Sequence, residues 1–172
     1  MRNFYWLTLT LLLLTSRASS QNLDRLDERN GFKDLILGSK ASNYSHLVFI
    51  RAHDDQKGIP NGKILGAEKG HYKSIGSVEV EAVEVTVYND YILGISVRTP
   101  KDPNLLKGLK RAYGPSTQTL GTTSFVWETD KLTLAFKSFS KSQLELYYHS
   151  IPVRQMIKND KAQKIQDIAD DF

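Results

Sequence analysis

SVEVEAVEVTVYNDYILGISVRT, residues 77–99, carries the strongest structural pattern in the chain. Apolar and polar residues alternate on both sides of the Asn89-Asp90 pair, the pattern of an antiparallel β-hairpin with one buried face. Val78, Val80 and Ala82 occupy even positions, whereas Val83, Val85 and Val87 occupy odd ones. Side chains along a strand alternate faces, so the apolar face flips between Ala82 and Val83. The flip predicts a β-bulge, or a bend that hands the first segment to a different neighbour. In both cases Glu79, Glu81 and Glu84 fall on the solvated side. After the turn, Leu93, Ile95 and Val97 are odd again. Facing partners then sum to an even number, Val87 with Leu93 and Val85 with Ile95, and a three-residue loop at residues 89–91 is expected.

Upstream, the first twenty residues carry Arg2, a short apolar run and the small residues Ala18 and Ser20. This predicts a cleavable secretory signal over residues 1–20, with the cut before Gln21 and no stable membrane insertion after its removal. Arg2 and Arg17 leave with that segment and no acid does, which takes the balance from 23 basic against 19 acidic residues to 21 against 19. So small a surplus gives no support to a nucleic-acid partner. The chain has no cysteine, which rules out a lipid-anchored cysteine at the cut and fits a bacterial periplasmic or secreted protein better than a disulfide-stapled ectodomain. The 152 residues that remain are about one domain long.

From Gln21 the reading is a polar lead over residues 21–30, then a short strand over residues 31–38 closed by glycine. A brief helix carrying Tyr44, capped by Ser39 or Ser42, comes next, followed by a β-rich run over residues 46–51. Residues 53–70, with Gly58, Pro60, Gly62, Gly66 and Gly70, read as the longest irregular stretch, an exposed loop of the kind that often carries function. Beyond the hairpin, Asp102 caps a helix opened by Pro103 and ended by Gly114, with Leu105, Leu106, Leu109, Ala112 and Tyr113 as its apolar stripe. Lys101, Lys107, Lys110 and Arg111 decorate it and form a candidate anion-binding or partner surface.

A second hairpin has Thr123, Phe125 and Trp127 odd but Leu132, Leu134 and Phe136 even, so its loop must be even in length, such as Thr129-Asp130. Trp127 is expected in the core. Leu144, Leu146 and Tyr148 continue the sheet, leaving Tyr147 as the better surface aromatic. A terminal helix over residues 152–172 carries Val153, Met156, Ile157, Ile165, Ile168 and Phe172 as a broken stripe, with Asp160 and Lys164 able to pair one turn apart.

Chemical signatures are sparse. His46, His53, His71 and His149 lack the helical spacing of a zinc site, and His53-Asp54-Asp55 reads as turn chemistry. No nucleophile elbow, cysteine nucleophile or phosphate-cradling glycine motif occurs. No catalytic, cofactor-binding or metal-ligating residue is assigned from the sequence.

The succession of residues 31–38, then Ile75-Gly76-Ser77-Val78, Leu109-Lys110-Arg111-Ala112-Tyr113-Gly114, Trp127 and the charged terminal helix resembles a group of small exported proteins of Gram-negative bacteria. Asn89-Asp90-Tyr91 stands where that group carries a glycine-containing turn. The resemblance implies a compact α+β domain and carries over no catalytic residue.

The expected architecture is α+β: one twisted antiparallel sheet of about five to seven strands with two main helices, the domain over residues 21–151 and the C-terminal helix after it. The expected function is an exported, non-enzymatic binding or interaction module, its partner an unidentified protein or envelope component. The alternative is a cell-envelope hydrolase whose site forms only in three dimensions near residues 53–70. A pocket gathering two or more of His53, His71, His149 and carboxylates would favour the hydrolase.

Overall fold

The valine strand and its partner lie near the middle of an eight-stranded antiparallel sheet in the computed structural model, which describes residues 20–53, 59–121 and 123–172. In chain order the elements are α1 (Ser20–Arg29), β1 (Gly31–Phe32), β2 (Leu35–Ile36), a 3-10 turn (Ala41–Asn43), β3 (Leu47–Ala52), β4 (Gly62–Ala67), β5 (Ser74–Ile75), β6 (Val78–Glu79), β7 (Ala82–Tyr88) and β8 (Tyr91–Pro100). Then follow α2 (Pro103–Tyr113), β9 (Gln118–Leu120), β10 (Ser124–Glu128), β11 (Leu132–Ser138), β12 (Gln143–Ser150) and α3 (Ile151–Asp170). The main sheet runs β3-β4-β7-β8-β12-β11-β10-β9, and β1-β2 and β5-β6 form two small sheets beside it.

This order is one motif used twice. Four strands meander, then a helix follows, and the last strands of the two meanders, β8 and β12, zip together with Ile95 opposite Tyr148. Both helices start the same way. Asp102 accepts a hydrogen bond from the Asn104 N–H at 2.7 Å, Ser150 accepts one from the Val153 N–H at 3.3 Å, and a proline sits in each first turn. Helices α1 and α2 pack together and cover one face of the sheet, where Leu26, Leu105, Leu109 and Tyr113 join the valines, Ile95, Trp127, Leu134 and Leu146 in the main core.

The phase flip at Ala82 is a bend. Val78 and Glu79 belong to the small sheet with β5, and β7 begins at Ala82 against Arg98. The turn differs from the sequence expectation. Tyr88 pairs with Tyr91, leaving the two-residue Asn89-Asp90 turn with φ of 47° and 68°, and Val87 faces Ile92 rather than Leu93. The odd residue demanded by parity is a bulge at Leu93, after which Val85 faces Ile95 as expected. Ile92 stays in the main core while Leu93 emerges on the opposite face, packed with Tyr88, Val153 and Ile157 under the first turns of α3. The strained turn is held from outside: Asp90 accepts from the Ser42 N–H and hydroxyl at 3.1 and 2.7 Å, and its carbonyl accepts from the Ala41 N–H. In the second hairpin Trp127 faces Leu134 and the Thr129 N–H donates to the Leu132 carbonyl, so the loop is even, centred on Asp130-Lys131.

Other departures have local causes. The expected polar lead over residues 21–30 is helical as far as Arg29, as α1, because Leu23 and Leu26 stand one turn apart and both reach the core. Residues 31–38 make a tight hairpin, not a single strand: Lys33 adopts φ 53°, and a side chain on Gly31 would run into the Leu35 carbonyl oxygen at 2.0 Å. Ser39 and Ser42 do not cap the 3-10 turn, whose N-cap is Lys40; Tyr44 closes its other end.

The expected loop at residues 53–70 contains β4, a strand between β3 and β7, and its residues 54–58 lie outside the described residues. Two of its glycines, Gly62 and Gly66, are strand residues at close approaches: a Cβ at Gly66 would lie 2.7 Å from Ile50 Cδ1, whereas Gly70 is a turn residue at φ 80°. With β4 and β9 added, the sheet has eight strands rather than five to seven, and α1 makes three described helices rather than two.

The terminal helix starts at Ile151 and buries only Val153 and Ile157, with Ile165, Ile168 and Phe172 exposed. Asp160 takes a hydrogen bond from the Tyr88 hydroxyl at 2.6 Å, tying α3 to the hairpin rather than pairing along the helix with Lys164. Among the described residues, no helix is long and apolar enough to cross a membrane.

Candidate functional site

A groove of about 750 Å³ opens on the helix-covered side of the sheet, between α2 and the β5-β6 hairpin. Its floor is Leu146 and Tyr148 of β12 with Phe32 of β1; one wall is Ile75 and Val78, and the other is Leu105, Leu109, Ala112 and Tyr113. The sequence folds this way because α2 buries a stripe at Leu105, Leu109 and Tyr113, while exposed Asn104 and Gly108 and half-buried Ala112 beside it line the groove. Gly108 widens the groove. A Cβ there meets no atom within 4 Å, although glycine inside a helix costs about 1 kcal/mol relative to alanine.

Polar groups cluster at one end. Burial pushes the Tyr148 hydroxyl well above its ordinary range, the neighbouring Tyr113 adds to this, and the charge of Arg29 opposes it, so the three groups share one electrostatic neighbourhood. Neither tyrosine hydroxyl has a hydrogen-bond partner among the described residues. Arg29 and Lys33 stand on the rim, the Lys33 Nζ lying 5.7 Å from the ring centres of both Phe32 and Tyr72.

On the far side of Lys33, Tyr72 donates to Asp34 at 2.8 Å and lies 2.8 Å from His46 Nε2, while His46 and His71 stack at 3.8 Å with ring planes 10° apart. Burial first, and the bond to Asp34 second, push the Tyr72 pKa up, so it stays a hydroxyl. A second, more polar hollow of about 610 Å³ lies beside the Asn89-Asp90 turn, where Asp90 is already engaged with Ser42.

Outside the apolar cluster under α3, the opposite face of the sheet carries ion pairs. Glu84 sits between Arg98 at 2.6 Å and Arg51 at 3.6 Å, and Glu145, nearly buried, binds the Ser96 hydroxyl and Lys137 Nζ. Glu79 and Glu81 are exposed, as the alternation implied. Tyr147 lies on this face but is half-buried rather than a surface aromatic: its hydroxyl occupies the space a side chain on Gly94 would need, with 2.7 Å between Oη and an added Cβ.

Next to it, burial and then the Arg154 charge hold the His149 imidazole below its ordinary value of 6.5. The unfolded chain therefore binds this proton more readily than the folded one, and stability falls as pH drops below about 6.5 through the folded value. Denaturant midpoints measured between pH 5 and 8 should show this loss on the acid side, and His149→Gln should flatten it.

The four cationic residues singled out from the sequence, Lys101, Lys107, Lys110 and Arg111, are all exposed, and none lines the groove. Lys110 Nζ sits 5.0 Å from the Phe125 ring centre. The groove residues Arg29, Phe32, Gly108, Tyr113 and Tyr148 were not identified as a site by sequence reasoning. The one legible signal was a glycine inside an otherwise well-formed helix. Neither hollow is lined by a histidine, whereas His46 and His71, unrelated in spacing, are brought together with Asp34.

Fold and site together define an α+β protein built on a twice-used four-strand-plus-helix motif, with an apolar groove bearing a cationic rim. No family model, curated protein or solved structure matches the chain.

Proposed function

We propose that this chain is an exported, non-enzymatic binding module whose groove holds a small amphipathic anion: a carboxylate-type head against Arg29, Tyr113 and Tyr148, and an apolar tail along Leu105, Leu109, Ile75 and Val78. The observation that carries this reading is the pairing of apolar walls with two hydroxyl donors and a guanidinium at one end. Apolar sites with a few convergent polar groups are the usual form of small-molecule sites, and about 750 Å³ lies in their size range. A fatty acid of the cell envelope has this chemistry.

The hydrolase alternative finds less support. Ser74 and Ser77 are at the groove, but no histidine or carboxylate lines it to act as their base. Export rests on the basic start, apolar run and small residues at positions 1–20. The basic surface of α2, with Lys101, Lys107, Lys110 and Arg111, remains available for a protein or envelope partner.

Calorimetric titration with dodecanoate and with dodecanol tests the reading. Dodecanoate should bind at least about tenfold more tightly, since a hydrogen bond to a charged group contributes about 1.5–3 kcal/mol, and Arg29→Ala should remove most of the difference. Equal affinities, unchanged by Arg29→Ala, would rule out the anionic head; no binding of either would rule out the groove as an acyl site. Affinity capture from the native envelope fraction would then identify the natural partner.

A further inference from the structure

Asp34, His46 and His71 come from three separate places: the β1-β2 turn, the residues before β3, and the turn leading into β5. One ligand-capable atom of each lies within 4.8 Å of the other two. Their surroundings resemble the outer shell of a metal centre. The Tyr72 hydroxyl is 2.8 Å from both Asp34 Oδ1 and His46 Nε2. A hydroxyl has one proton and a carboxylate only accepts, so that proton goes to Asp34 and His46 Nε2 supplies the hydrogen of the second bond. The ring's lone pair is then on Nδ1, and Asp34 keeps Oδ2 for another partner. Outer partners of this kind fix the tautomer and orientation of ligating side chains.

The geometry points to a divalent-cation site formed by Asp34, His46 through Nδ1, and His71, with water completing the coordination. Two imidazoles and a carboxylate suit Zn²⁺. Zn–N bonds of about 2.0–2.1 Å place tetrahedral ligands roughly 3.4 Å apart, inside the 4.8 Å that bounds the three groups, so binding draws them together. His71 must leave its parallel stack on His46, because two in-plane lone pairs of stacked rings do not converge on one ion. His71 and Asp34 are exposed, so their rotation costs little packing. The bound ion would tie the β1-β2 hairpin to the head of β3 and the turn before β5, beside the Lys33 rim of the groove.

The test is calorimetric titration of the purified full-length protein, stripped of metal with chelator and dialysed, with ZnCl₂ at pH 7.5. One ion per chain is expected, with affinity reduced at least tenfold in His71→Ala and in Asp34→Asn and about 10–100-fold in Tyr72→Phe, and unchanged in His53→Ala and His149→Ala. NMR of the histidine rings in the unmodified protein gives an independent readout: Zn²⁺ should shift His46 and His71 alone. Absence of saturable binding at millimolar Zn²⁺, full affinity in His71→Ala, or ring shifts at His53 or His149 instead would overturn the assignment.

Discussion

Trp127→Ala should lower the unfolding free energy by about 3–5 kcal/mol. Trp127 is the largest fully buried side chain, facing Leu134 on β11, and truncation leaves a cavity that eight strands of sheet cannot collapse into. The indole also acts as a fastener: its Nε1 donates to the Gly114 carbonyl at 3.0 Å, fixing the residue that ends α2 and so the helix forming one groove wall. For a domain of this size the loss corresponds to a fall in Tm of roughly 6–20 °C. Trp127→Phe keeps the ring and orphans the carbonyl, so about 1–3 kcal/mol is expected. Denaturant unfolding checks both, and a loss below about 1 kcal/mol in Trp127→Ala would contradict this packing.

The second large effect separates binding from folding. Gly108→Trp should abolish acyl binding, with at least about a hundredfold loss of dodecanoate affinity, because the indole occupies the groove that the ligand needs. Space for a side chain is open at Gly108, and replacing a helical glycine reduces the entropy of the unfolded chain, so the variant should fold as well as the parent. Gly108→Ala should be about 0.5–1 kcal/mol more stable and bind almost normally. A Gly108→Trp protein that keeps full affinity would move the site elsewhere.

Much of the fold was legible because period-2 alternation reports a buried face directly. Parity located the bend at Ala82, the matching of Val85 with Ile95, the even second hairpin and the burial of Trp127. It counted an extra residue near the first turn correctly but could not assign it, because a three-residue loop and a two-residue turn with a bulge at Leu93 have the same parity. The choice was made by tertiary contacts, with Ser42 and Ala41 bracing Asp90 and Val153 and Ile157 receiving Leu93. Strand β4 was missed because its glycines serve close packing, Gly62 against His53 and Ile59 and Gly66 against Ile50, which reads in sequence as loop composition. The site was less visible. Arg29, Phe32, Tyr113 and Tyr148 are scattered through the chain, and only α2 lying across the sheet brings them to one groove. The cationic residues picked from α2 lie off the groove because the same helical periodicity that buries Leu105 and Leu109 turns Lys107, Lys110 and Arg111 to solvent.

The exposed apolar residues elsewhere are the main competitors for a lipid-like ligand. Val48, Phe49 and Ile50 lie on the edge strand β3, and Ile165 and Ile168 lie along α3 with Phe172 just beyond its end. Methyl-labelled NMR titrated with dodecanoate distinguishes these surfaces in one measurement. Binding in the groove predicts saturable shifts at the methyls of Ile75, Val78, Leu105, Leu109 and Leu146. Shifts confined to Val48 and Ile50, or to Ile165 and Ile168, would contradict it.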